Sequence, residues 1–166
     1  AGGKPGADII VSEGYMDVIA LHQAGFEGAV APLGTALTEA QIEEIWRVQP
    51  EPLLCFDGDE AGRRAAARAA ERVLPILKAG HSLRFVFMPE GEDPDSLIRE
   101  GGAPSMKLLL DQAVPLVEWL WRIETHGKAL DTPERRAALR KSVMERAAAI
   151  AGGSVQAQYA AGFGQR

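Results

Sequence analysis

The acidic residues of this sequence fall into three short groups that could hold a hard cation. Asp57-Gly58-Asp59 places two carboxylates on either side of a glycine, and a glycine lets the backbone turn sharply enough for both to reach one ion. Glu13 heads Glu13-Gly14-Tyr15-Met16-Asp17, and Glu92-Asp93-Pro94-Asp95 supplies further carboxylates. Like charges this close repel, so such groups serve either as solvated helix caps or as cation sites. Softer metal chemistry lacks ligands. Cys55 is the single cysteine, and His22, His81 and His126 are scattered, so neither a Cys/His zinc site nor an internal disulfide is expected. A calcium loop starting at Asp57 is excluded, because Ala61 and Arg68 would fall where that loop needs oxygen ligands.

The acids can act together only if the fold gathers them. Four short apolar runs, at 8–11, 28–31, 52–56 and 83–87, alternate with helical patterns over about 15–24, 38–48 and 59–78. That alternation predicts an α/β fold with a short, mostly parallel four-stranded sheet flanked by helices. Gly25 and Gly80 stand where helices should stop, and Thr38 with Gln41 forms a capping-box pattern. After Pro94 the strand signal disappears, and helices are expected near 95–100, 104–110, 114–125 and 133–151. Asp131-Thr132-Pro133-Glu134 marks the start of the last of these. The expected division is a disordered or appended lead over 1–7, an α/β domain over 8–103 and a small helical subdomain over 104–166.

In open parallel sheets the carboxyl ends of the strands line the ligand crevice. Glu13 would follow the first strand, Asp57 and Asp59 the third, and Asp93 and Asp95 the fourth. Alone, Glu13 and Asp57-Gly58-Asp59 read equally well as cap or turn residues and Glu92-Asp93-Pro94-Asp95 mostly as a cap, but three groups at one end of three strands point to a divalent metal site. A phosphatase of the haloacid dehalogenase type also carries Asp-x-Asp after a strand. It prefers Thr or Val where Ala61 stands, and it leaves Glu13 without a task.

Composition bounds the rest. The chain has 166 residues, 46% hydrophobic and 25% charged, which is enough for one compact domain with a small appendage. Eighteen basic against 23 acidic residues give a net charge of −5, which argues against gripping nucleic acid by bulk field and leaves room for a local basic stripe. No apolar run approaches the ~20 residues of a membrane span, so a membrane role and export are not expected. The opening Ala1-Gly2-Gly3-Lys4-Pro5-Gly6 suggests a piece of a longer protein.

On the helix after Asp59, Arg64, Arg68 and Arg72 recur every four residues, with Ala61, Ala65, Ala69 and Val73 expected to pack on the sheet. Arg63 and Arg64, one turn from the acids, could neutralise phosphates, whereas Arg68 and Arg72 read as a solvated face paired with Glu60 and Glu71. Trp119 and Trp121 cannot share a helix face, so one should pack inside and one against the next helix. The three histidines read as surface or cap residues without partners, and Cys55 as core packing.

Four segments together resemble the catalytic core of bacterial DnaG-type primases, in the family's order and spacing. They are the run from Glu13-Gly14-Tyr15-Met16-Asp17 to Gly25, Leu33-Gly34-Thr35-Ala36-Leu37-Thr38, the run from Phe56-Asp57-Gly58-Asp59 to Ala66, and Asp93-Pro94-Asp95. The lone Glu and the Asp-x-Asp place the chain in the wider TOPRIM group, and the Glu-Gly-Tyr-Met-Asp and Leu-Gly-Thr-Ala motifs select primase within it. The resemblance implies a TOPRIM fold that joins ribonucleotides from NTPs on single-stranded DNA by metal-dependent nucleotidyl transfer. It implies Glu13, Asp57 and Asp59 as catalytic residues, Mg²⁺ or Mn²⁺ held by these with Asp95, Asp93 and Asp17, and motif support from Gly14, Gly34, Thr35 and Gly58. It further implies a cytoplasmic setting in the bacterial replisome, with the replicative helicase and the family's other domains as partners. Those domains lie outside the matched segments, so this chain alone is expected to be weakly active or inactive. The alternatives are a TOPRIM nuclease or topoisomerase fragment and a non-catalytic nucleic-acid-binding module.

Overall fold

The computed structural model describes residues 8–32 and 35–166; the expected lead over 1–7, Leu33 and Gly34 lie outside the described residues. A five-stranded sheet in the order β2-β1-β3-β4-β5 forms the middle layer. β1 (Ile10–Val11), β2 (Ala29–Val30), β3 (Leu53–Phe56) and β4 (Arg84–Phe87) fall on the four apolar runs and pair in parallel. The expected four strands are joined by β5 (Val114–Pro115), antiparallel to β4 with Val114 opposite Phe85. A two-residue strand is too short to show a period, and Pro115, which has no N–H to donate, is tolerated because β5 is the sheet edge.

The helices are α1 (Tyr15–Gln23), α2 (Glu39–Trp46), α3 (Glu60–Val73), α4 (Pro94–Asp111), α5 (Leu116–Thr125), α6 (Pro133–Ala148) and α7 (Gly153–Gly164). Thr38 and Gln41 close the capping box at α2, and Thr132 accepts from the Arg135 N–H at α6. Gly25 and Gly80 carry φ of 98° and 82° at the expected stops. The two helices expected after Pro94 are segments of α4, which bends where Gly102 takes φ 70°.

Strand alternation divides the core into two faces. Ile10, Leu53, Cys55 and Val86 pack with Leu21 of α1 and with Met106 and Leu110 of α4. Val11, Leu54, Phe56 and Phe85 pack with α2, α3 and α5 through Ile42, Trp46, Ala66 and Leu120. Each large apolar side chain buried this way contributes about 1.5–3 kcal/mol. Leu139, Val143 and Phe163 of the C-terminal helices belong to that same second cluster. Between α5 and α6, Arg146 donates to the buried Glu124, which also accepts from Lys128 at 3.2 Å.

Some expected contacts differ. The buried stripe of α3 is Gly62, Ala66, Ala69, Ala70 and Val73, while Ala61 is exposed and Ala65 half-buried. An alanine-rich helix offers two nearly equivalent small-residue faces, and contact with the sheet selects one of them. His22 is not partnerless, since its Nε2 lies 2.9 Å from Ala29 O and ties α1 to β2. Nor is His81, whose ring meets Trp46 edge-on with centroids 5.4 Å apart. Trp119 packs on Phe87 and donates to Ala66 O at 3.1 Å, while Trp121 faces Leu130 and Val143.

Candidate functional site

The strand order reverses direction between β1 and β3, and the crevice of an open parallel sheet lies at the carboxyl end of such a switch point. Glu13 leaves β1 there and Asp57 leaves β3. The Asp57 N–H and the Asp57 carboxyl both hydrogen-bond the Glu13 carboxylate and hold its pKa down, while the Glu13 side chain pushes that of Asp57 up. The next residue locks the loop after β3 to the loop after β4. Gly58 N–H donates to Glu92 O at 2.9 Å, and Gly91 N–H donates to Gly58 O at 2.8 Å. A Cβ at Gly58 would stand 1.8 Å from Pro89 O, so this approach admits only glycine.

Two further acids double as helix caps. Asp59 Oδ1 accepts from Gly62 N–H at 2.6 Å at the start of α3, and Asp93 Oδ1 accepts from Ser96 N–H at 2.7 Å at the start of α4. Asp17, in the first turn of α1 and only 8% exposed, accepts from Asp95 N–H at 3.3 Å. Asp95 also pairs with Arg99 at 3.3 Å, and the neighbouring Glu100 adds to burial in raising the Glu92 pKa. The geometry therefore yields a Glu13–Asp57 pair beside Asp59 and an Asp17–Asp95 contact beside Asp93.

Burial pushes Asp57 up to about 6, reinforced by the Glu13 and Asp93 charges. Burial does the same to Asp17, also to about 6, with Asp93, Asp57 and Asp95 adding repulsion against the favourable Asp95 N–H. Glu13 is raised by burial and by Asp59 and Asp17, partly offset by its hydrogen bonds from Asp57. Buried carboxylates that repel one another are what a cation neutralises. Ser12, beside Glu13, is 2% exposed with its Oγ lacking a hydrogen-bond partner. Among the described residues no three Asp, Glu, His or Cys side chains already form a closed ligand set. Mg²⁺ rarely requires one, because it is usually held by one or two carboxylates with waters and substrate phosphates. The hard oxygen donors fit such an ion and do not fit zinc.

Thr35 and Glu13 line a cleft of about 260 Å³ with Arg68 and Arg72. Arg72 is not a solvated residue. Its Nη1 donates to Leu37 O at 2.6 Å and fastens the loop after β2 to α3. Arg63 and Arg64 line a different groove, and Arg63 pairs with Glu60 at 3.6 Å. The sequence did not single out Ser12, Arg68 or Arg72 as site residues; only the spacing of Arg68 and Arg72 from Arg64 hinted that they share a face. Gly14 caps α1 in extended conformation without a side-chain bond.

The Toprim domain family profile matches residues 7–87. The DNA primase of Rickettsia felis is 41% identical over 150 residues, covering 90% of this chain and 25% of that protein. The DNA primase of Pseudomonas aeruginosa is 47% identical over 143 residues, covering 84% and 22%. A solved DnaG primase catalytic domain bound to ssDNA superposes with TM-score 0.86 at 37% identity, covering 98% of this chain and 54% of that one. A solved DNA primase domain from Pseudomonas aeruginosa gives 0.85 at 44% identity, covering 92% and 48%. The chain thus spans about a quarter of the length of the curated relatives it matches. With its Toprim domain and these matches across nearly its whole length, the chain belongs to the DnaG-type DNA primases and corresponds to part of their catalytic core.

Proposed function

We propose that the acidic centre is the nucleotidyl-transfer site of a primase, extending an RNA primer from NTPs on a single-stranded DNA template. The observation that carries this reading is the meeting of Glu13 and Asp57 at the β1/β3 switch point, with Asp59 at the head of α3. Glu13, Asp57 and Asp59 would hold Mg²⁺ or Mn²⁺, with Asp17, Asp93 and Asp95 as the second acidic group. Bound there, the cation supplies charge neutralisation for a triphosphate and lowers the pKa of an attacking hydroxyl. In the reaction a primer 3′-oxygen bonds to the α-phosphorus, the bond to pyrophosphate breaks, and the hydroxyl proton leaves to Glu13 or to solvent. Arg63 and Arg64 would contact phosphates of template or nucleotide.

Relatives named DNA primases and a solved catalytic domain named as bound to ssDNA support this substrate class. In the parent protein the other primase domains and the replicative helicase would be the partners, and the bacterial cytoplasm the setting. Among the described residues no helix is long and apolar enough to cross a membrane. The proposed boundary between residues 103 and 104 falls inside α4, beside the Gly102 bend.

The test is incorporation of labelled ribonucleotide by the parent protein carrying Glu13→Gln, which keeps the shape and removes the charge. Primer synthesis should be abolished while template binding stays nearly unchanged, as for an interaction made in the transition state. Synthesis at the wild-type rate would reduce Glu13 to a structural carboxylate.

A further inference from the structure

A groove of about 510 Å³ runs between α3 and α5. The two helices pack antiparallel. Trp119, early in α5, donates to Ala66 O in the middle of α3 at 3.1 Å, and Arg122 and His126, late in α5, share the groove with Glu60, Arg63 and Arg64 at the start of α3. Cationic side chains from two helices therefore gather beside Asp59, the residue that caps α3. Three arginines line the groove against one glutamate, in a chain whose net charge is −5.

These arginines can exchange partners at little cost. Arg63 pairs with Glu60 at 3.6 Å and Arg122 with Glu118 at 3.5 Å, both on exposed surface where such pairs contribute about 0–1 kcal/mol. Glu118 is also held by Arg166 at 2.7 Å, so it keeps a cation when Arg122 turns away. Arg64 makes no ion pair among the described residues. Planar guanidinium groups recognise phosphate through two parallel hydrogen bonds, which exposed carboxylates on the same helix do not outcompete.

We propose that this groove carries the backbone of a single nucleic-acid strand to or from the acidic centre, with Arg122 on α5 as the second wall of its phosphate contacts. The inference rests on the reading of Arg63 and Arg64 as phosphate contacts and adds the opposite helix to them. The groove between the two packed helices is floored by Trp119 and Ile123, and its arginines on both walls can follow the phosphates of one strand. Trp119 acts as floor and not as a stacking platform, since its ring is already packed on Phe87 with centroids 4.6 Å apart.

Fluorescence anisotropy of a labelled oligothymidine with this chain, over a salt series, tests the proposal. Arg122→Ala and Arg64→Ala should each weaken binding several-fold and make the slope of log K against log salt shallower by about 0.7, the value for one phosphate contact on a single strand. Arg140→Ala, on the exposed side of α6, should change neither quantity. Circular dichroism should show both groove variants folded, because Arg122 and Arg64 are exposed. Wild-type affinity and slope for Arg122→Ala, with a loss for Arg64→Ala, would overturn the second wall and leave the phosphate reading of α3 standing. Wild-type behaviour of both variants, or no binding at low salt, would overturn both. Equal binding of a duplex, equally sensitive to Arg122→Ala, would overturn the single-strand assignment. Metal-induced stabilisation reports on the acidic centre alone, so its failure is distinguishable from failure of the groove.

Discussion

The Asp57 carboxyl and the Asp57 backbone N–H both reach the Glu13 carboxylate, which joins the end of β3 to the end of β1 across the switch point of the sheet. A cation bound between the two acids would relieve the repulsion that adds to burial in raising Asp57.

Mg²⁺ or Mn²⁺ should therefore raise the thermal midpoint of this chain. A ligand specific to the native state stabilises by about 2.7 kcal/mol at one hundred times its dissociation constant. Asp57→Asn combined with Asp59→Asn should abolish that gain. Asn at 59 still accepts from Gly62 N–H, so the metal-free double variant should be no less stable than wild type. Equal stabilisation of both proteins in differential scanning calorimetry would remove these residues from the metal site.

Stability of the metal-free chain should depend on pH in a defined direction. Asp17 and Asp57 have ordinary values of 3.8 and lie at about 6 in the folded protein. Below the unfolded value both states are protonated and these groups contribute nothing. Between the two values the native state holds more protons, so stability falls as pH rises, and above about 6 the full penalty is present. Urea midpoints in chelator should thus increase from about pH 7 to about pH 5. Asp57→Asn or excess Mg²⁺ should flatten the slope, and a midpoint that falls over this range would contradict the assignment.

Gly58→Ala should damage fold and site together. Its Cβ would meet Pro89 O at 1.8 Å and Met88 O at 2.7 Å and would force apart the loops that Gly58 N–H and Gly91 N–H join. Such overpacking costs about 1–3 kcal/mol. Calorimetry should show a lowered midpoint and a weakened response to Mg²⁺. A variant with wild-type values in both would mean that the two loops are not rigidly coupled.

Arg146→Ala should be among the most destabilising changes outside the site. Burial alone would raise the Glu124 pKa, but hydrogen bonds led by Arg146 hold it below the ordinary value. Removing one partner of a buried ion pair costs about 3–5 kcal/mol when the charge is left alone, and Lys128, 3.2 Å from Glu124, should hold the loss toward the lower end of that range. Adding Glu124→Gln to Arg146→Ala should recover part of the loss in a double-mutant cycle by urea denaturation. Strict additivity of the two changes would show that they do not interact.

What the sequence by itself determined is the local layer. The apolar runs set β1 to β4, Thr38 and Thr132 capped their helices where expected, Asp57-Gly58-Asp59 followed β3 directly and Asp93 began α4, because such residues end strands and start helices. Those features depend on neighbours a few residues apart, which a single sequence displays. Pairing between distant segments was left to the tertiary structure. It joined Glu13 to Asp57 and Asp17 to Asp95, added Val114–Pro115 to the sheet edge and chose the 62/66/69/70/73 face of α3 over its alanine-rich neighbour. It also turned Arg72 onto Leu37 O and set Arg122 beside Arg63 and Arg64. The physical reason is that strand order and helix docking are decided by burial of whole faces and by closing long loops, so the partner of a polar side chain is settled only when those faces meet.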